Sequence, residues 1–186
     1  MARNAKQARP HRTRWIALGA GVIVVVVLPV VAGGRSHPTK RDTNSEAATT
    51  AGTGHQVTLE SIDGQTVSVP AGKPGAMYFS SSTCSSCIPP ARGLGELKRR
   101  FGTQIDAVFI SIDPSDSADG LRAVSRTVGD PPYPFVIDRN GVATTKYRIT
   151  ALGALVVYNA NGAVVDRLID PDRSQIASAL RKAGAS

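Results

Sequence analysis

Tyr78-Phe79-Ser80-Ser81-Ser82-Thr83-Cys84-Ser85-Ser86-Cys87-Ile88-Pro89-Pro90 decides how this chain is read. It holds the only two cysteines, two residues apart, between a short apolar run and a helix-like pattern. At a strand-to-helix junction such a pair has a mechanical logic. The first thiol sits exposed at the helix N-terminus, where unpaired amides and the positive dipole end favour its thiolate. The second lies one turn on, close enough to attack a mixed disulfide and release what the first has captured. Cys84 therefore reads as the nucleophile and Cys87 as the resolving thiol. Two other readings stay open. A purely structural disulfide closing so short a loop constrains little of the unfolded chain. Half of a zinc site needs four ligands, yet there is no third cysteine, and His11, His37 and His55 all precede the expected folded part.

Working outward to the N-terminus, Arg3, Lys6, Arg9, Arg12 and Arg14 form a basic head (1–14) without an acidic residue. The uncharged run Trp15 to Ala32 follows, close to the roughly 20 residues that span a bilayer. Basic residues on its N-terminal side predict that this end stays cytoplasmic and the rest is extracytoplasmic. Two membrane readings compete for 15–32: a retained single-span anchor, and a signal peptide cut after Ala32. The run exceeds the roughly 7–15 residues of a signal h-region, which favours the anchor. Residues 33–54 are rich in Gly, Ser, Thr and Ala and read as a flexible linker. A folded domain is expected over 55–186. The five basic residues of the head account for much of the net charge of +8. The remainder of the chain carries 17 basic against 14 acidic residues, or +3, which argues against nucleic-acid binding. Export also places the cysteines where disulfide chemistry is permitted.

Toward the C-terminus the pattern alternates between strand and helix. Val57 to Ile62 and Gln65 to Val69 flank Asp63-Gly64, a hairpin signal. Ala76 to Phe79 is a short apolar strand leading to Cys84. Leu94, Leu97 and Phe101 mark one face of a helix that Gly102 stops. Ile105 to Ile112 has the continuous apolar character of a buried central strand. Asp116 is the expected N-cap of a helix with Leu121, Val124 and Val128 inward. Phe135 to Ile137, a short helix over Val142 to Tyr147, a hairpin around Asn159 to Gly162, and a last helix after Pro171-Asp172 complete an α/β sandwich.

The order of these pieces resembles the thioredoxin-like superfamily, in particular the membrane-tethered thiol-disulfide oxidoreductases of the TlpA/ResA type. The carriers are the hairpin around Asp63-Gly64, Gly72-Lys73-Pro74-Gly75, Cys84-x-x-Cys87, Phe109 to Asp113, Phe135 to Asp138 and the hairpin at Asn159 to Gly162. The resemblance implies a thioredoxin-like three-layer α/β/α sandwich with an N-terminal hairpin, preceded by a single transmembrane helix. It implies action on exported protein thiols and disulfides, an apocytochrome among them, with a separate, membrane-embedded electron donor. No cofactor and no resident metal is called for. Three departures stand out. Thr83 occupies the place of the family's tryptophan. Pro89 and Pro90 fall two and three residues after Cys87, so a helix starting at Cys84 is expected to kink. Gly153 falls where the family has a cis-proline, and a glycine leaves that peptide trans by default.

Other readings remain. A peroxiredoxin-like thiol peroxidase is suggested by Ser81, three residues before Cys84, with Arg92 the arginine on the following helix. A Sco-like copper-binding assembly factor is suggested by Asp113-Pro114, although it lacks a third ligand for soft thiolates to share. A non-catalytic thioredoxin-fold scaffold is suggested by Gly153 and Thr83. Asp106, at the start of the central strand, reads either as a proton-transfer residue or as a surface strand end.

Overall fold

The computed structural model describes residues 55–186; the head, apolar run and linker expected over 1–14, 15–32 and 33–54 lie outside the described residues. Among the described residues no helix is long and apolar enough to cross a membrane.

A five-stranded mixed sheet forms the centre, in the order β5-β4-β3-β6-β7. Its middle strand, β3 (Gly75–Ser80), is buried along its whole length. β3 pairs in parallel with β4 (Asp106–Ser111), which pairs in parallel with β5 (Phe135–Ile137). On its other side β3 runs antiparallel to β6 (Ala154–Tyr158), which runs antiparallel to β7 (Val164–Ile169). A strand covered on both faces gains nothing from polar alternation, so β3 reads as one apolar run.

The two faces are sorted by strand period. Ala76 and Tyr78 of β3, with Ala107 and Phe109 of β4, face the helices α1 (Ile88–Phe101), α2 (Ala118–Thr127) and α4 (Arg173–Lys182). Leu94, Leu97, Leu121, Val124, Val128, Ile176 and Leu180 fill that core, as the helical spacing predicts. Met77, Phe79, Val108 and Ile110 face the opposite way. They meet Val57 and Val69 of the hairpin β1 (Val57–Glu60) and β2 (Thr66–Val69), and Ala143 and Tyr147 in and after the short α3 (Val142–Lys146). The expected sandwich is present, with its second outer layer made of a hairpin and one short helix. The hairpin is tied to the sheet edge at Ser61 against Val136 and by the Ile62 amide on Phe135 O.

Two local expectations are corrected. The long helix does not begin at Cys84, and the prolines do not kink it. A 3-10 turn, Ser85–Cys87, comes first, and α1 starts at Ile88 with Pro89 and Pro90 in its opening turn. Amides of a first turn have no intrahelical acceptor, so prolines there sacrifice nothing. The carbonyl of Ser85 is served by the amide of Ile88 instead. Nor is Asp116 the N-cap of α2. Ser117 takes that place, its hydroxyl accepting from the Gly120 amide at 3.0 Å. Asp116 is turned inward and buried.

Candidate active site

β3 delivers the chain to its C-terminal end, where Ser81 to Thr83 form a tight loop and Cys84 and Cys87 are joined as a disulfide with Cα atoms 5.4 Å apart. Cys84 caps the 3-10 turn in extended conformation, and its carbonyl accepts from the Cys87 amide at 3.3 Å. The two sulfurs are unequally placed. Cys84 is half-buried, with Ser86 Oγ 3.5 Å from its Sγ, whereas Cys87 is only 2% exposed and belongs to the helix-side core.

Beneath Cys87 lies Tyr78, whose hydroxyl donates to the Cys87 carbonyl at 3.2 Å. Burial, and next the charge of Asp170, push its phenol pKa well above the ordinary value, so the hydroxyl stays a donor at any physiological pH. Sequence reading saw Tyr78 only as a strand residue. The signal was the period-2 alternation that points it toward the helix face of the sheet, where Cys87 also packs.

The loop before the disulfide is held by a buried carboxylate. Asp116 Oδ2 accepts from the Ser82 amide at 2.7 Å and from Ser111 Oγ at 2.5 Å, and its Oδ1 accepts from Ser82 Oγ at 2.5 Å. Asp116 follows β4 and Ser82 follows β3, so this contact joins the ends of the two parallel strands.

Gly153 stands directly before β6 at this same end, its amide donating to Phe79 O at 2.9 Å. The peptide is trans; the cis bond among the described residues is Val69–Pro70. Gly153 has φ +78°, and a Cβ there would lie 1.9 Å from Asp170 Oδ1. A carboxylate thus fills the space a side chain at 153 would need. Asp170, itself at φ +44°, donates its amide to Gly153 O at 2.9 Å.

Other candidates fall elsewhere. Asp106 begins β4 at the opposite end of the sheet, since Gly75 pairs with Asp106 and Ser80 with Ser111. It is not a plain surface strand end either, because its Oδ2 is buried without a partner. The hydroxyl of Ser81 pairs with Thr83 at 3.2 Å, and Arg92 donates to Thr127 O at 2.9 Å. Neither the Ser81 hydroxyl nor Arg92 bonds to Cys84. Among the described residues no three His, Cys, Asp or Glu side chains converge to hold a metal.

Comparison with known proteins adds the following. No protein-family model matches the chain. Among solved structures, MTB dsbF covers 70% of this chain and 96% of its own at TM-score 0.62 and 15% identity. A secreted Mycobacterium tuberculosis disulfide oxidoreductase homologous to E. coli DsbE covers 69% and 97% at TM-score 0.60 and 17% identity. StoA from Bacillus subtilis covers 67% and 95% at TM-score 0.57 and 17% identity. These likenesses establish the thioredoxin-like fold. A Streptomyces lividans protein described as mercury resistance operon ORF3 is 32% identical over 146 residues, 74% of this chain and 77% of that one. With that identity over most of both sequences, the chain belongs to the family of the mercury resistance operon ORF3 protein, built on a thioredoxin-like fold.

Proposed function

We propose that the protein is a membrane-tethered, extracytoplasmic thiol-disulfide oxidoreductase acting on exported proteins through Cys84 and Cys87. The observation that carries the reading is the asymmetry of the pair: one half-buried sulfur at a helical N-terminus, one buried sulfur behind it. In the reductive direction the Cys84 thiolate attacks a substrate disulfide, forming the mixed disulfide and expelling one substrate thiolate. The Cys87 thiolate then attacks Cys84 Sγ, closing the Cys84–Cys87 disulfide and expelling the second substrate thiolate. Two electrons pass to the substrate, and a separate donor must return two to the pair. A membrane-embedded donor suits an enzyme anchored through 15–32. The solved structures of similar fold that are described as disulfide oxidoreductases support this reading. The test is a redox titration of the purified protein, with the pair read by thiol labelling. A midpoint near about −270 mV supports a reductase and one near about −120 mV an oxidant. A pair that never exchanges defeats the proposal.

A second reading is favoured by the relative described as part of a mercury resistance operon. The reduced pair offers two adjacent thiolates, the soft ligands that a soft divalent cation such as Hg(II) prefers. Stoichiometric protection of both thiols from labelling by one Hg(II) per chain supports it. Unprotected thiols at equimolar Hg(II) remove it.

A further inference from the structure

We propose that Asp116 is a positioning residue for the Cys84–Cys87 pair, holding its loop in the disulfide-closed arrangement and opposing reduction. The inference rests on the oxidoreductase reading above and concerns how the poise of that site is set. Three donors converge on this carboxylate: the Ser82 amide, the Ser82 hydroxyl and the Ser111 hydroxyl, at 2.7, 2.5 and 2.5 Å. Hydrogen bonds to a carboxylate are stronger than those between neutral groups. A buried carboxylate also costs heavily when its partners are removed, so the loop cannot shift without exposing that cost.

The clamp acts on the residue that matters. Ser82 is two residues before Cys84, and the loop between them contains little else to fix it: the Cys84 amide reaches Ser81 O at 3.4 Å, and the Ser81 and Thr83 hydroxyls meet at 3.2 Å. The anchor is rigid on the other side. Ser111 ends β4 in register with Ser80 of β3, and the Ile112 amide donates to Ser80 O at 2.9 Å. The first turn of α2 closes over the loop, since a Cβ on Gly120 would lie 3.4 Å from both Ser82 Cβ and Ser82 Oγ.

Charge points the same way as geometry. Two residues of chain at about 3.8 Å each keep the carboxylate within a distance on the order of 10 Å of Cys84, and Asp116 itself is buried, where screening is weak. None of the ion pairs among the described residues includes Asp116. The guanidinium of Arg139 donates to the carbonyls of Pro114 and Asp116, at 2.9 and 3.4 Å. Reduction creates a thiolate at Cys84, and a carboxylate hydrogen-bonded to the loop that carries it disfavours it. Asp116 therefore shifts the couple toward the disulfide, which makes the dithiol a stronger reductant.

The experiment equilibrates the full chain, and its Asp116→Asn and Ser82→Ala variants, with glutathione redox buffers, and reads the reduced fraction by thiol labelling. Thermal unfolding is recorded alongside. Asp116→Asn removes the charge and sets an NH2 donor in place of one of the two accepting oxygens; it is expected to move the exchange constant about tenfold toward the dithiol, equivalent to about 30 mV. Ser82→Ala keeps the amide bond and loses only the hydroxyl, and it is expected to move the constant about threefold the same way. This milder variant carries the test if Asp116→Asn does not fold. Wild-type exchange constants in the variants, whatever their thermal stability, overturn the proposal and leave the oxidoreductase reading standing. Failure of the wild-type pair to exchange at all removes both.

Discussion

The two ends of the central sheet are built from the same strands and differ in almost everything else. At the C-terminal end of β3 and β4 the polar groups are paired: Asp116 with Ser82 and Ser111, the Tyr78 hydroxyl with Cys87 O, and the Asp170 amide with Gly153 O. At the N-terminal end, Asp106 Oδ2 and the Tyr158 hydroxyl are buried with no partner. That end is closed by packing: a Cβ on Gly75 would meet Asp106 O at 2.4 Å and the Tyr158 hydroxyl at 2.6 Å. The contrast separates an end where polar groups from several elements pair from one that is closed by packing. Parallel strands release their loops at the C-terminal edge, so side chains from different strands can converge there, whereas the other edge has only to close the core.

The comparison can be broken by substitution. The largest effect belongs to the cysteines. Cys84→Ser should abolish thiol-disulfide exchange, and Cys87→Ser should leave a mixed disulfide on Cys84 that survives non-reducing electrophoresis. If either variant exchanges like wild type, the site is misplaced. Next comes Gly153→Pro, which introduces the residue that the family resemblance leads one to expect. Proline requires φ near −65°, but the backbone here is at +78° with a carboxylate in the way. Denaturant unfolding should show a loss of about 3 kcal/mol or more; unchanged stability would mean the loop rearranges freely.

At the opposite end, Gly75→Ala should cost about 1–3 kcal/mol by overpacking while leaving the glutathione exchange constant as it is. A shifted constant would show that the two ends communicate. The smallest and sharpest contrast is between two buried tyrosines. Tyr78→Phe removes a bonded hydroxyl and should cost about 1 kcal/mol, whereas Tyr158→Phe removes an unpartnered one and should be neutral or mildly stabilising. Burial raises the pKa of Tyr78, Tyr133, Tyr147 and Tyr158, that of Tyr147 to about 12. In the unfolded chain these phenols ionise near about pH 10. The unfolded state thus loses protons first, so stability is full below about pH 10 and falls as pH rises beyond it. Tyr158→Phe should move that alkaline limb to higher pH; an alkaline limb unmoved by it would argue against the burial of that phenol.

Most of the framework was legible before the structure. The hairpin at Asp63-Gly64, the buried strands and the inward faces of α1, α2 and α4 follow from periodicity, because a strand or helix must present its apolar side to a core. The Cys84–Cys87 pair was legible because chain spacing alone brings two cysteines so placed within bonding range. The two misreadings have separate causes. Asp116 and Ser117 are adjacent, and both residue types cap helices well. Only the arrival of Ser82 from another strand draws Asp116 inward and leaves the cap to Ser117. The prolines looked disruptive because the helix start was placed one turn too early.

The sequence by itself determined the order of elements, the faces they bury and the pairing of Cys84 with Cys87, since each depends on residues close along the chain. Only the tertiary structure decided what surrounds that pair: the Tyr78 hydroxyl under Cys87, the Asp116 clamp on Ser82 and the Asp170 carboxylate over Gly153. These contacts join residues 9, 34 and 17 positions apart. Local propensity carries no information at such separations; strand register and packing bring the partners together.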